Sequence, residues 1–247
     1  MPAMKLPFCT VDVFTTRRFA GNPLAIVEKA DGLETATMQM LAREFNLSET
    51  IFVQKPADPA HTAKVRIFFP TAEIPFAGHP TIGCAIHLAQ KLHPGEGDFE
   101  TVVTLEEVAG LVPVRVARRA GHTVAQLTAP VIPHAHGVAA PPAETLAGAL
   151  GLDPSEIGFR NHRPAVLAGG PAFVFVPVAS LASLAKARPM EPHWGAMTAA
   201  TTGAAYIYTP GGRNPATHFS SRMYAPHGGI PEDPATGAGG SSSLIRE

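Results

Sequence analysis

Cysteine is scarce: Cys9 and Cys84 are the two in a chain of 247 residues. Two thiols build neither a disulfide scaffold nor a cysteine-rich zinc site. Long apolar runs are also missing. Nothing approaches the roughly 20 residues that cross a bilayer as a helix, so no membrane partner is expected. Met1–Thr10 has one lysine and no apolar h-region, so it does not read as a signal peptide. Charge of one sign is missing too. Lys and Arg total 19 against 20 Asp and Glu, a formal net charge of −1, which leaves no basic footprint for nucleic acid. What is present is 45% apolar and 16% charged, too apolar for disorder. A chain this long buries about 70–75% of its unfolded surface and needs no covalent or metal staple. The expectation is a globular protein of the cytoplasm. Its 23 glycines and 25 prolines point to many turns and short strands rather than a helical bundle.

Val11–Phe14 and Leu24–Val27 read as strands joined by the turn-rich connector Arg17-Arg18-Phe19-Ala20-Gly21-Asn22-Pro23. Thr37–Asn46 is the clearest amphipathic helix, with Met38, Leu41, Ala42 and Phe45 at i, i+3, i+4 and i+7. Ile51–Val53 and Val65–Phe69 follow as strands. Ile82–Leu92 is apolar on nearly every face, which marks a buried helix, and Pro80 suits its first turn, where a missing N–H costs nothing. Strands are expected at Val102–Leu105, Leu111–Ala117 and Thr123–Thr128, and Pro130–Pro142 reads as a linker. Beyond it come helices at Glu144–Leu150 and Leu181–Ala187 and strands at Phe173–Val178 and Ala205–Tyr208. Strands grouped around single helices give an α+β fold rather than a doubly wound parallel sheet.

An internal repeat runs through this order. Arg66, Pro70, Ile74 and Pro75 recur as Arg222, Pro226, Ile230 and Pro231, each 156 positions later. A Gly/Pro/Thr-rich turn follows each Ile-Pro. Each half is therefore expected to place a helix N-terminus at the end of a strand, and free N–H groups with the helix dipole make such an end an anion site. Two of them facing across a cleft would grip a small carboxylate. On this frame position 247 corresponds to 91 in the first half. The second half is then expected to lack its closing strands, leaving a helix from near Thr236 incompletely covered.

The stretches Val11–Val27 (VDVFTTRRFAGNPLAIV), Leu41–Val53 (LAREFNLSETIFV), Arg66–Gly83 (RIFFPTAEIPFAGHPTIG) and Arg222–Gly237 (RMYAPHGGIPEDPATG) resemble the PhzF-like phenazine-biosynthesis isomerase family, which shares the diaminopimelate epimerase fold. The resemblance implies two similar domains, each a curled mixed sheet around a central helix. They would be residues 1–129 and 143–247, joined by the linker 130–142. It further implies an isomerase acting on a small carboxylate without cofactor or metal, and a homodimer. The acid/base residue would be the Glu of the Asn-Leu-Ser-Glu-Thr stretch, Glu49, assisted by His79 of Gly-His-Pro-Thr and Asp233 of Glu-Asp-Pro-Ala-Thr-Gly. Substrate-binding candidates are Asn22, Gly78, Thr81, Thr236, Gly237 and Ala238. The family often has a substrate-contacting serine where Ala238 stands.

Each candidate has a plainer reading. Glu49 at an apolar strand start is expected to be partly desolvated, which raises a carboxyl towards neutrality as a returning proton carrier needs; otherwise it is a solvated glutamate between helix and strand. His79 is either a neutral proton relay, its charge disfavoured by the helix dipole, or a capping histidine. Asp233 is a cap, a substrate contact, or both. Cys84 lies too deep in its helix for a two-thiol racemase and reads as core. His134 and His136 sit in a Pro/Ala stretch without Asp, Glu or Cys nearby and read as solvated. Gly237-Ala-Gly239-Gly240 matches no strict nucleotide loop. The alternative function is a non-catalytic small-molecule-binding protein on the same scaffold.

Overall fold

A computed structural model describes residues 5–169, 171–212, 215 and 217–236. The chain divides into two compact units, Met1–Ile132 and Pro133–Glu247, both mixed α+β.

The first unit runs β1 (Phe8–Val13), β2 (Asn22–Val27), α1 (Thr35–Phe45), β3 (Glu49–Gln54), β4 (Ala63–Phe68), β5 (Glu73–Ile74), α2 (Gly78–Leu92), β6 (Phe99–Glu107), β7 (Gly110–Arg119) and β8 (His122–Leu127). The strands form one sheet in the order β1-β2-β3-β4-β6-β7-β8, with β5 paired to β4. That sheet curls around α2, which touches β1, β2 and β3 on one side and β6, β7 and β8 on the other. The apolar sequence of α2 follows from this enclosure: Ile82, Cys84, Ala85 and Ala89 are buried among Leu24, Ile26, Ile51, Val65, Val103 and Val114. Alternation puts the other faces of β2 and β3 under α1, where Val27 and Phe52 pack with Met38 and Ala42. Buried on both faces, β2 and β3 pair in parallel, and α1 is their crossover. α1 stops at Asn46, whose φ of 51° lies in the left-handed region that asparagine tolerates.

The second unit runs β9 (His134–Ala135), α3 (Ala143–Leu150), β10 (Ala165–Ala168), β11 (Ala172–Pro177), α4 (Leu181–Lys186), α5 (His193–Thr198), β12 (Ala205–Pro210), β13 (Phe219–Ala225) and β14 (Ile230–Asp233). Its sheet order is β14-β13-β12-β11-β10-β9. Residues 130–142, expected as a linker, thus contain β9, whose His134 and Ala135 pair with Ala168 and Leu167. His134 and His136 are both exposed. One face of the sheet buries Val174, Val176 and Ile207 beneath Leu146, Leu150, Leu184 and Trp194 from α3, α4 and α5. The helix expected from near Thr236 lies outside the described residues.

The repeat has a structural counterpart. In the first unit β1, β2, β3, β4 and β5 pair antiparallel, parallel, antiparallel, antiparallel. In the second, β10, β11, β12, β13 and β14 pair in the same succession. The recurring arginines do the same work in each. Arg66 Nε and Nη2 donate to Glu73 at 2.7 and 2.6 Å, and the guanidinium lies 5.3 Å from the Phe68 ring centre. Arg222 Nε and Nη2 donate to Glu232, both at 2.7 Å, over the Tyr224 ring at 5.0 Å. The two hairpins are not superposable residue for residue. Ile67 faces Ile74, but Met223 faces Asp233 across a bulge, and residues Pro226–Gly228 of the second hairpin form a short helical turn.

Candidate active site

In the first unit three polar side chains converge at one end of the sheet. Asn22 opens β2 and Glu49 opens β3, and Leu24 pairs with Glu49 across the parallel ladder. Both side chains therefore arrive beside the first turn of α2, where His79 is the second residue. All three are buried: Asn22 is 0%, His79 2% and Glu49 5% exposed. His79 Nδ1 lies 3.3 Å from Glu49 Oε2 and 3.3 Å from Asn22 Nδ2. One ring nitrogen thus faces an acceptor and a donor. With a proton on Nδ1 the imidazole faces a Glu49 carboxylate as donor; without it, the nitrogen accepts from the Asn22 amide. The ring can follow the charge on Glu49 while staying in place.

α2 starts at Gly78, after Ala77 with extended backbone and no side-chain cap. Its first N–H groups therefore point out of the helix towards whatever occupies the site. Pro80 is the third helical residue, and its missing N–H removes one of the orphan donors, as expected.

Thr81 is fully buried and exposes a residue that the sequence reading missed. Its hydroxyl oxygen lies 2.7 Å from the Ala77 carbonyl and 2.6 Å from Glu107 Oε1. A hydroxyl has one proton. If it goes to the carbonyl, which only accepts, the second contact is satisfied when Glu107 is the donor, that is, protonated. Glu107 is itself 8% exposed, and burial pushes its carboxyl up to about 7 against the Thr81 hydrogen bond, which lowers it. The signal was available: Val103, Leu105 and Glu107 are alternate residues of β6, and the first two face the core.

Glu107 gives a pH prediction. Its folded carboxyl titrates near 7 rather than 4.5, so the folded state holds a proton that the unfolded chain releases. Stability is full below about 4.5 and is lost as pH rises through 7, by about 3 kcal/mol in all. Glu107→Gln, whose amide donates to Thr81 at every pH, should raise the unfolding midpoint at pH 8 and leave it unchanged near pH 4.5. Equal effects at both values, followed by urea unfolding, would refute the buried neutral acid.

In the second unit, Asp233 closes β14 and is 5% exposed. Its Oδ2 accepts a short hydrogen bond from the Thr236 hydroxyl three residues on, which joins two of the candidates. Gly237 and Ala238 lie outside the described residues. The cysteines are free, and Cys84 is buried inside α2, as read from the sequence.

The fold is shared with a hydroxyproline epimerase from Agrobacterium vitis, at a TM-score of 0.58 and 16% identity, covering 91% of this chain and 73% of that one. The chain belongs to the phenazine biosynthesis-like protein family, whose model matches residues 11–244, and it is an isomerase. It is 42% identical to an uncharacterized isomerase of Mesorhizobium japonicum, over 92% of this chain and 75% of that one. It is 36% identical to the trans-2,3-dihydro-3-hydroxyanthranilate isomerase of Pseudomonas aeruginosa, over 94% and 76%. A solved structure of a predicted epimerase from Pseudomonas aeruginosa matches at a TM-score of 0.79 and 30% identity, over 98% and 80%. No helix among the described residues is long and apolar enough to cross a membrane.

Proposed function

We propose that the protein moves a proton between two carbons of a small carboxylate, with Glu49 as the single acid/base. The observation that carries this is the buried Glu49–His79 pair with Asn22 on the same imidazole nitrogen. Glu49 takes a proton from an activated C–H, the bonding pair delocalises into the substrate, and the same carboxyl returns the proton at a different carbon. His79 and Asp233 position the substrate and assist. Asn22 and Thr236 contact it, whereas the buried Thr81 hydroxyl is taken up by Ala77 and Glu107, and the backbone at Gly78 and around Gly237 and Ala238 holds its carboxylate. The charge that develops on carbon needs aimed donors in a water-poor site, and the N–H groups of the first turn of α2 are such donors. Because the P. aeruginosa relative is a trans-2,3-dihydro-3-hydroxyanthranilate isomerase, ring carboxylates of that kind are the first substrates to try. In this reading the enzyme works as a homodimer in the cytoplasm.

A panel of small carboxylates incubated with the protein in D2O tests the reading. Deuterium should enter the substrate at a carbon, and the rate should survive EDTA. A histidine and two carboxylates are also metal-ligand types. Loss of exchange with EDTA and its recovery with added metal would replace this mechanism by a metal-dependent one. Tight binding of a carboxylate without any exchange would mark a binding protein instead.

A further inference from the structure

Away from Glu49, a second line of reactive groups crosses the first unit. Cys9 lies on β1, with Val11 and Val13 on its α2-facing side. Its Sγ is 3.7 Å from His87 Nδ1 on α2. The other ring nitrogen, Nε2, is 2.9 Å from Glu28 Oε1. Glu28 follows β2 directly, and its backbone N–H is tied to Pro7 O at 2.9 Å. Its second oxygen takes a short contact from Lys91 Nζ, one helical turn beyond His87. Thiol, imidazole and carboxylate therefore stand in series, each on a different element, and the lysine anchors the far end. That order is the one a base-assisted nucleophile needs: the carboxylate fixes the ring with Nε2–H towards itself, and Nδ1 is left to accept the thiol proton.

The ring is also accessible. Cys9 is itself half-buried, and His87, 18% exposed, lines a neighbouring cleft of about 900 Å³ whose lining does not include Cys9. The floor of the cleft is Val11, Ile82 and Ile86, and its walls include Gln90, His122 and Thr123. A volume of that order holds a small organic molecule. No lysine or arginine lines it, so it offers no counter-charge for a polyphosphate.

We propose that Cys9 is a modification site, a thiol that His87 deprotonates as it attacks a small organic disulfide. As Sγ attacks, its proton passes to His87 Nδ1. A bond forms between Sγ and one sulfur, the S–S bond of the disulfide breaks, and the departing thiolate leaves with the proton from His87. Cys9 is oxidised to a mixed disulfide, and half of the reagent is reduced to its thiol. Burial and the Glu28 charge push the Cys9 thiol up, against the Lys91 charge, so the resting group is the thiol and the base acts during the attack. Cys84 is an internal control: it is fully buried in α2, and burial pushes its thiol far up.

The probe is glutathione disulfide on the whole native chain, followed by mass analysis of the Cys9 and Cys84 peptides. One glutathione should appear on Cys9 and none on Cys84. His87→Gln should slow the reaction by at least about tenfold, and Glu28→Gln should slow it by less. No adduct at Cys9, or an equal rate in both variants, would overturn the proposal. If His87→Gln does not fold, Glu28→Gln decides: a Cys9 reaction rate equal to that of the wild type overturns the proposal.

Discussion

Glu49→Gln should lower turnover by roughly 10²–10⁴-fold. The substitution keeps the shape of the side chain, and the site has little room to adapt, because the Glu49 and His79 side chains are 6% and 3% exposed. A glutamine amide still meets His79 Nδ1 through its oxygen or its nitrogen, so the unfolding midpoint should move little. It cannot accept a proton from carbon and return it. Glu49→Asp, one methylene shorter, should fall between the two, because a carboxylate that no longer reaches the carbon transfers a proton poorly even when its chemistry is right. The measurement is deuterium incorporation into substrate beside a melting curve for each variant. A Gln variant that exchanges at a near-normal rate would remove Glu49 from the mechanism. One that is slow only because it is unfolded would show itself in the melting curve.

Gly21→Ala should be the most damaging small substitution near the site. A Cβ on Gly21 would stand 2.3 Å from the Val13 carbonyl oxygen and 2.6 Å from Thr15 Cγ2. The threonine methyl can turn away, but the carbonyl is backbone at the point where Val13 pairs with Asn22. The two strands must separate there, at a cost of about 3 kcal/mol, or roughly 6–12 °C in melting temperature. The separation also displaces Asn22, which carries the amide facing His79 Nδ1. Activity should therefore fall further than stability alone explains, in assays well below the melting point. A variant that melts within 2 °C of the wild type and turns over normally would show that the turn has room which this packing denies it.

Much of the chain was legible because local physics and tertiary packing ask for the same residues. The 3.6-residue spacing of Met38, Leu41, Ala42 and Phe45 was enough for α1, which begins at Thr35 rather than Thr37. The all-round apolar surface of α2 announced a central helix, and the motifs at both ends placed Glu49 and His79. Elements too short to show a period were not legible. β10 has four residues between Pro164 and Gly169, and α5 is a turn and a half whose Trp194 is buried only because α3, β11 and β13 meet around it. β13 begins Phe-Ser-Ser-Arg and is recognisable from sequence only through the repeat.

What the sequence determined by itself was the class of fold, the family, and the residue types of the candidate site, because motifs and periodicities are local. Tertiary structure decided which atoms meet. Asn22 is 57 residues from His79 in the chain, yet Asn22 and Glu49 both reach its one imidazole nitrogen because β2 and β3 run parallel beside the start of α2. Glu107 is drawn into the core by the alternation of β6, and the exclusion of water there pushes its carboxyl up to about 7 against the Thr81 hydrogen bond, which lowers it. The chain from Cys9 through His87 to Glu28 joins a strand, a helix and a strand end, and no spacing along the sequence encodes it. A contact between distant residues is set by how sheets curl and helices seat, and that is decided by the whole core at once.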